Sequence, residues 1–304
     1  MGNTFYFNWE VSLIQWIQSA LGKGGIAVMS LISAFGEDLL MTAVLGTVYW
    51  CIDKKAGRKV GMSLVMHLVW FPTIKNIVMR RRPYWDVQEI QCLKPVDPSA
   101  GIYDIAKQGY SFPSGHSGSA ASVYGSIAGF FKKNWLTAAC IALTVLVGIS
   151  RFSLGVHYPT DVICGWALGA AAVFIVPWLE KRIEKRSVFC AVLLLTALPG
   201  VFICRTTDYY SGLGLLIGFM AAVPFEEKYV KFENTRRPLA IAMRIIVGFV
   251  IYFALNFLMK LPFSEAFLAS ESAACFAYRV FRYAVLIFVE AGVYPMLFKM
   301  KVMK

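Results

Sequence analysis

Long apolar stretches with few charged residues constrain this chain more than any other feature of its sequence. The 304 residues are 58% hydrophobic and only 16% charged, whereas soluble domains carry about 25% charged residues. A soluble protein of this composition would lack the polar surface needed to cover its core. The composition therefore predicts a polytopic integral membrane protein.

Nine apolar segments are candidates for membrane-spanning helices, since a helix needs about 20 residues to cross the hydrocarbon core. They lie near 34–52, 59–79, 115–131, 134–150, 160–178, 188–204, 209–225, 238–260 and 275–298. Residues 5–22 carry a one-sided apolar stripe, which predicts a helix lying at the membrane interface instead of crossing it. We expect residues 1–304 to form a single integral membrane domain.

The basic residues predict which side of the membrane each connection faces. More than half of the 30 Lys and Arg fall in alternate connections and in the tail: Lys54, Lys55, Arg58, Lys59, Lys132, Lys133, Lys181, Arg182, Lys185, Arg186, Lys228, Lys231, Arg236, Arg237, Lys299, Lys301 and Lys304. The positive-inside rule places these connections and the C-terminus in the cytoplasm. The net charge of +12 is therefore assigned to cytoplasmic loops and not to nucleic-acid binding.

Three short segments place cations and imidazoles on the opposite, extracytoplasmic face. They are Lys75 with Arg82-Pro83, then Pro113-Ser114-Gly115-His116, then Ser150-Arg151 with His157 and Asp161. Ionisable residues at membrane depth are costly and by default indicate a functional site. Because all three segments fall on one predicted face, we expect them to form one active site.

The cations and helix-start donors of these segments suit the binding of a phosphoryl group. Its equatorial oxygens need positive charge and hydrogen-bond donors around them, and Lys75, Arg82 and Arg151 are predicted to supply the charge. Ser114 and the backbone amide of Gly115 are predicted to add donors, because unpaired N–H groups at a helix start bind anions.

The two histidines of these segments suit phosphoryl transfer through a covalent intermediate. His157 is predicted to attack phosphorus, while Asp161 holds its other ring nitrogen and stabilises the imidazolium. His116 is predicted to protonate the departing alkoxide and then to activate water. No metal ligand set is recognisable in the sequence.

The three segments, at this spacing, resemble the signature of the type 2 phosphatidic acid phosphatase (PAP2) superfamily, which also contains the vanadium haloperoxidases. The resemblance covers residues 34–178 and implies the same role at each matching position, with no metal or other cofactor. It also implies an all-α polytopic bundle with a six-helix core and about three extra C-terminal spans. The expected division is an interfacial segment 1–33, a phosphatase core 34–204 and additional spans 205–304.

The nine-span plan resembles the sphingosine-1-phosphate phosphatase and glucose-6-phosphatase branches of that superfamily. Three short sequences in the last third of the chain carry a weaker likeness to the first of these branches: Asp208-Tyr209-Tyr210, Phe281-Arg282-Tyr283 and Pro295-Met296-Leu297.

The predicted activity is metal-independent hydrolysis of a lipid phosphate monoester or of the terminal phosphate of a lipid diphosphate. The expected partners are the lipid bilayer and a lipid phosphate, with no nucleic acid. An isoprenoid diphosphate, phosphatidic acid, phosphatidylglycerol phosphate and a sphingoid-base phosphate remain open as substrates, and a sugar phosphate is a minority option. The alternatives are a lipid phosphotransferase, a vanadate-dependent haloperoxidase-like activity and a non-enzymatic transporter.

Two further features of the sequence each allow two interpretations. Arg80 and Arg81 either attract anionic lipid or anchor the chain at the interface. The long loop 84–112 either acts as a lid over the site or is a solvated connection.

Overall fold

The computed structural model describes residues 2–304, whose regular elements are all helical. In chain order the helices are α1 (Asn8–Ala20), α2 (Lys23–Ala34), α3 (Asp38–Thr47), α4 (Lys54–Val78), α5 (Pro83–Asp86), α6 (Ile105–Gln108), α7 (Gly115–Phe131), α8 (Asn134–Ser153), α9 (Pro159–Arg182), α10 (Arg186–Ile203), α11 (Thr207–Phe225), α12 (Pro238–Lys260), α13 (Glu265–Ala269) and α14 (Ala273–Phe288). π-Helical turns extend three of them over Val48–Ile52, Glu226–Val230 and Val289–Val293, and a 3₁₀ helix follows over Tyr294–Lys299.

Every predicted span coincides with a helix, which confirms the all-α fold class. Within residues 2–304, five helices can cross a membrane by length and composition: Asn134–Ser153, Pro159–Arg182, Arg186–Ile203, Pro238–Lys260 and Ala273–Lys299. Helices α1 and α2, bent by 120° at their junction, would add a sixth if they form one span. The chain is thus a multi-pass membrane protein, while the count of nine spans and the interfacial position of α1 stay predictions. Helix α2 itself was not predicted.

The chain groups into two compact units. The first contains the residues up to Met41 together with Trp70–Ile175, and the second contains Thr42–Val69 together with Val176–Lys304. Every residue predicted for the active site belongs to the first unit. The expected single domain and its internal divisions stay predictions.

In the first unit, glycines let α9 lie directly against α7. A Cβ atom at Gly165 would lie 2.4 Å from the carbonyl oxygen of Ser114, and one at Gly169 would lie 2.2 Å from that of Gly118. Small residues permit such close backbone approach between membrane helices. The contact brings together the starts of the two helices, where the Ser114 N–H donates to the carbonyl of Asp161 at 3.0 Å.

The loop 84–112 is organised around one buried glutamine. The side-chain oxygen of Gln108 accepts from the backbone N–H groups of Val96 and Asp97, and its amide nitrogen donates to the Asp97 carbonyl at 2.8 Å. The indole N–H of Trp85 donates to the carbonyl of Ile102 at 2.9 Å. Hydrogen bonds from the side chains of Gln108 and Trp85 therefore hold part of the loop backbone in place. A lid function for the loop stays a prediction.

In the second unit, some of the basic residues used to predict orientation are paired with acids. Glu226 is fully buried and accepts from Lys54 at 3.1 Å and from Arg58. Glu227 pairs with Arg58 and with Arg186, each at 2.5 Å. An aromatic cluster forms much of this unit's core: Tyr49, Trp50, Phe219, Phe232, Tyr294 and Phe298.

Close packing of α7 against α9 predicts opposite effects for two glycine-to-alanine substitutions. Both Gly169→Ala and Gly129→Ala gain up to ~1 kcal/mol of helix propensity. Only the first creates a clash, because nothing lies within 4 Å of a Cβ atom at Gly129, and overpacking costs about 1–3 kcal/mol. We expect Gly169→Ala to melt at a lower temperature than Gly129→Ala in detergent. Equal melting temperatures would contradict the described contact.

Candidate active site

The three predicted segments meet in the first unit. Six of the eight predicted site residues are buried: Lys75, Arg82, Ser114, Arg151, His157 and Asp161. The other two, Gly115 and His116, are partly buried in the first turn of α7. His116 lies within electrostatic range of Lys75, Arg151 and His157, so one site contains both imidazoles and the cations.

A serine that the sequence reasoning missed mediates between Asp161 and His157. Nδ1 of His157 lies 3.6 Å from Oδ2 of Asp161, beyond hydrogen-bond length. The hydroxyl of Ser111 donates to the same oxygen and lies 3.5 Å from Nδ1. The His157 ring also hydrogen-bonds the Ser111 backbone. Ser111 therefore contacts both partners of the predicted pair, and nothing in its sequence context marked it.

The surroundings of His157 favour its neutral form. His157 lies between α8 and α9, and burial lowers the pKa of its imidazole well below the ordinary value of 6.5. The positive charges of Arg82, Arg151 and Lys75 lower this pKa further. A neutral imidazole keeps a lone pair on one ring nitrogen, which a nucleophile needs.

Arg82 is held by backbone carbonyls. Its Nε and Nη2 donate to the carbonyl of Gln108 at 3.1 and 2.6 Å, and Nη1 donates to that of Val156 at 2.7 Å. Nε also contacts the Gly109 carbonyl at 2.9 Å. These bonds fix the backbone beside His157 and use one of the two N–H groups on Nη1. Burial lowers the pKa of the Arg82 guanidinium, which nevertheless stays charged.

Arg151 and Lys75 place two more cations near the imidazoles. Nη1 of Arg151 donates to the Ser33 hydroxyl of α2 at 2.5 Å, while its buried Nε has no hydrogen-bond partner among residues 2–304. Nζ of Lys75 lies 5.2 Å from the centre of the Phe71 ring. A buried guanidinium N–H without a partner is costly, and a bound anion would satisfy it.

Ser114 and Gly115, at the start of α7, each have a structural role. The Ser114 hydroxyl caps the helix by accepting from the Ser117 N–H at 3.4 Å and is bonded to the Ser117 hydroxyl at 2.8 Å. A Cβ atom at Gly115 would lie 3.0 Å from the Phe71 ring, so this packing favours glycine. Both residues thus have structural roles beside their predicted contact with phosphate.

Both sequence interpretations of Arg80 are wrong. Its side chain is buried and pairs with two carboxylates, Asp161 at 2.7 Å and Glu10 at 2.8 Å. Arg81, in contrast, is partly exposed and lies 3.3 Å from Asp86. The only sequence signal for Glu10 was its position as an acid within the apolar stripe of α1.

No cluster of three or more His, Cys, Asp or Glu side chains able to hold a metal ion occurs among residues 2–304. Apart from Asp161 and His116, the side chains around His157 are cations and the hydroxyl of Ser111, which match an anion.

The lowered pKa of His157 predicts its protonation state. The chain has three histidines, so ¹⁵N-labelled imidazole signals can be assigned with His157→Ala. We expect the His157 ring to remain neutral at pH 6.5, and to become protonated only as the pH falls through its lowered pKa. A ring that titrates at or above 6.5 would contradict the described burial and charge.

Two family models match the chain. The PAP2 superfamily model matches residues 56–185, which include all eight predicted site residues. The model described as "PAP2 superfamily phosphatase, transmembrane extension" matches residues 210–304 and accounts for the additional C-terminal helices. No solved structure shows a significant match to this chain.

Among curated proteins, phosphatidylglycerophosphatase B of Bacillus subtilis (strain 168) is 41% identical over 92 residues, covering 27% of this chain and 44% of that protein. Undecaprenyl-diphosphatase of Sulfolobus acidocaldarius is 30% identical over 190 residues, covering 59% and 84%. Decaprenylphosphoryl-5-phosphoribose phosphatase of Mycobacterium tuberculosis is 30% identical over 188 residues, covering 58% and 96%. This chain therefore spans less than half of the first relative and most of the other two.

All three relatives carry names of phosphatases that act on lipid-linked phosphate. None of the three is named as a sphingosine-1-phosphate phosphatase or a glucose-6-phosphatase, and that finer placement stays a prediction. Two consecutive family models and a relative matched over 84% of its length lead to one conclusion: the chain belongs to the PAP2 superfamily of phosphatases.

Proposed function

We propose that this protein hydrolyses a lipid phosphate monoester or a lipid diphosphate through a phosphohistidine at His157, without a metal ion. The single observation that carries this proposal is the position of the buried His157 imidazole among the charges of Lys75, Arg82 and Arg151, which favour its neutral form. An anionic phosphoryl group compensates those charges, and the neutral ring supplies the nucleophile.

In the first step, the lone pair on Nε2 of His157 attacks phosphorus. The new P–N bond forms as the P–O bond to the departing group breaks. The protonated His116 ring, whose positive charge the bound phosphoryl group compensates, gives its proton to the departing oxygen. Positive charge develops on the His157 ring, where Asp161 and Ser111 stabilise the protonated Nδ1 side. For a diphosphate substrate the departing group is the lipid monophosphate.

In the second step, His116 removes a proton from water, and the resulting hydroxide attacks the phosphohistidine. The P–N bond breaks, inorganic phosphate leaves, and His157 returns to its neutral form. The cations hold the transferring oxygens throughout both steps, with Arg151 offering an unused N–H and Arg82 offering the second N–H of Nη1.

A substrate with a long apolar chain is favoured for two reasons. The site residues lie at the ends of membrane helices, and the relatives named above act on phosphatidylglycerophosphate, undecaprenyl diphosphate or a decaprenylphosphoryl sugar phosphate. We therefore place polyprenyl phosphates and phospholipid phosphates ahead of a soluble sugar phosphate.

We also propose that the site faces the extracytoplasmic side. In the first unit, α7 begins at the site and ends beside Lys132, and α8 begins after Lys133 and ends at the site. The positive-inside rule assigns the lysine ends to the cytoplasm, so the opposite ends carry the site outward.

Substitution of His157 tests the mechanism. His157→Ala and His157→Asn should both lose phosphate release by at least ~10³-fold, because both lack the nucleophile. The amide of His157→Asn can occupy the Nδ1 position and keep the contacts to Ser111 and Asp161, which controls for lost structure. Release of inorganic phosphate would be measured with EDTA present, using phosphatidic acid, farnesyl diphosphate and glucose 6-phosphate, with melting temperatures compared. Turnover by His157→Asn near the wild-type rate would refute the mechanism, and dependence on an added metal would refute metal independence.

The orientation is tested by labelling cysteines placed at the two ends of α7. The seven native cysteines are first replaced by serine or alanine. In intact cells, a membrane-impermeant maleimide should label a cysteine at Tyr103, which is exposed in the loop before α7, and not one at Lys133. Labelling of only the cysteine that replaces Lys133 would indicate the opposite orientation and contradict the proposal.

A further inference from the structure

Glu10 of α1 is a fully buried carboxylate that belongs to no segment of the sequence signature. Its two oxygens accept four hydrogen bonds: from Arg80 Nη2 at 2.8 Å, from the Phe7 N–H at 3.0 Å, and from the N–H and hydroxyl of Thr160 at 3.0 and 2.6 Å. Burying a carboxylate is costly unless charge and hydrogen bonds compensate it. At Glu10, the positive charge of Arg80 and the four hydrogen bonds compensate the buried carboxylate.

Arg80 connects Glu10 to the predicted catalytic carboxylate. Nη1 of Arg80 donates to Oδ1 of Asp161 at 2.7 Å and to the Thr160 hydroxyl at 2.7 Å. Oδ2 of Asp161 accepts from Ser111, beside the His157 ring, and from the Tyr158 N–H at 2.7 Å. A continuous buried series thus runs from Glu10 through Arg80 and Asp161 to the nucleophile.

The N-terminal segment before α1 is bonded to the same arginine. Nε of Arg80 donates to the carbonyl of Phe5 at 2.8 Å, and its guanidinium lies 4.6 Å from the Phe5 ring and 4.0 Å from the Tyr158 ring. Asn3 pairs with the backbone on both sides of Arg80, accepting from the Arg81 N–H at 3.0 Å and donating to the Met79 carbonyl at 2.8 Å. Four of the five N–H groups of the Arg80 guanidinium therefore donate to these neighbours.

We propose that Glu10 is a positioning residue for phosphoryl transfer, acting through Arg80 on Asp161 and His157. The inference rests on the proposed function of His157. Glu10 accepts from Arg80 and shares with Asp161 the compensation of the guanidinium charge. Oδ2 of Asp161 therefore stays available to the Ser111 hydroxyl and lies beside the His157 ring. The N-terminal segment is then part of the catalytic apparatus although it lies outside both matched family models.

The charge balance gives the direction of the effect. The groups around Arg80 are Glu10, Asp161, Thr160, Tyr158 and Phe5. The groups around His157 are Asp161, Ser111, Arg82, Arg151, Lys75 and His116. Glu10→Gln removes one negative charge from this set, so Asp161 alone compensates Arg80 and stabilises the imidazolium less.

The test compares Glu10→Gln with Asp86→Asn. Asp86 accepts from Arg81 at 3.3 Å and from Thr4 at 3.2 Å, so this control removes a carboxylate from the neighbouring arginine without touching the series. With the substrate from the panel that the wild-type protein hydrolyses fastest, Glu10→Gln should lower kcat about 10-fold or more at little changed KM. Asp86→Asn should match the wild type.

A second readout does not depend on activity. In the wild type, the ¹⁵N signals of the two His157 ring nitrogens should be well separated, because one tautomer is held in place. In Glu10→Gln they should move toward each other as both tautomers become populated. A merely structural role for Glu10 would change the melting temperature and leave the ring signals of the folded protein as they are.

Wild-type kcat and unchanged ring signals in Glu10→Gln would overturn the inference while leaving the proposed function intact. Inactive wild-type protein would instead refute the proposed function, and the ring signals would still decide the role of Glu10. If Glu10→Gln does not fold, the isosteric Thr160→Val removes one donor from Glu10 and one acceptor from Arg80 and keeps all charges. It should lower kcat at constant KM, and an unaltered kcat would overturn the inference.

Discussion

Asp161 imposes the main constraint on the first unit, because a carboxylate at the start of a membrane helix must be satisfied by the protein itself. Its oxygens accept from Arg80, from the Ser111 hydroxyl and from the Tyr158 N–H, and its own carbonyl accepts from the Ser114 N–H. These bonds connect Asp161, in the first turn of α9, with residues that follow the end of α4 and with residues just before α7. Losing any one partner would leave a buried charge undercompensated, which is far more costly than losing a surface pair.

The cations beyond this carboxylate explain why the site suits phosphate. Arg82 is occupied mainly by carbonyl oxygens, Arg151 bonds a serine and keeps an unpartnered Nε, and neither forms an ion pair with an acid within residues 2–304. Positive charge without a matching carboxylate is tolerated within a membrane protein where an anionic substrate compensates it. The same charges lower the pKa of His157, so one arrangement both attracts the phosphoryl group and keeps the nucleophile neutral.

The predicted spans and the residue types of the site followed from local sequence, whereas α2 and the connections between the site residues did not. Apolar length predicted the spans, and the residue types of the three segments predicted their chemistry. The series through Glu10 and Ser111 could not be predicted, because it joins residues 46 to 150 positions apart along the chain, and single-sequence patterns report only local periodicity. Arg80 was misinterpreted as a lipid contact or an interfacial anchor for the same reason, because its two carboxylate partners lie 70 and 81 positions away along the chain.

The most direct test of the account is to identify the phosphorylated residue during turnover. His116→Ala lacks the group that activates water, so with a substrate whose leaving group needs no protonation, such as para-nitrophenyl phosphate, the covalent intermediate should accumulate. Denaturation at alkaline pH, which preserves the P–N bond, followed by peptide mass spectrometry should place the phosphoryl group on His157. A phosphoryl group on Ser114, Ser111 or His116, or product formation by His116→Ala without any covalent intermediate, would contradict the account.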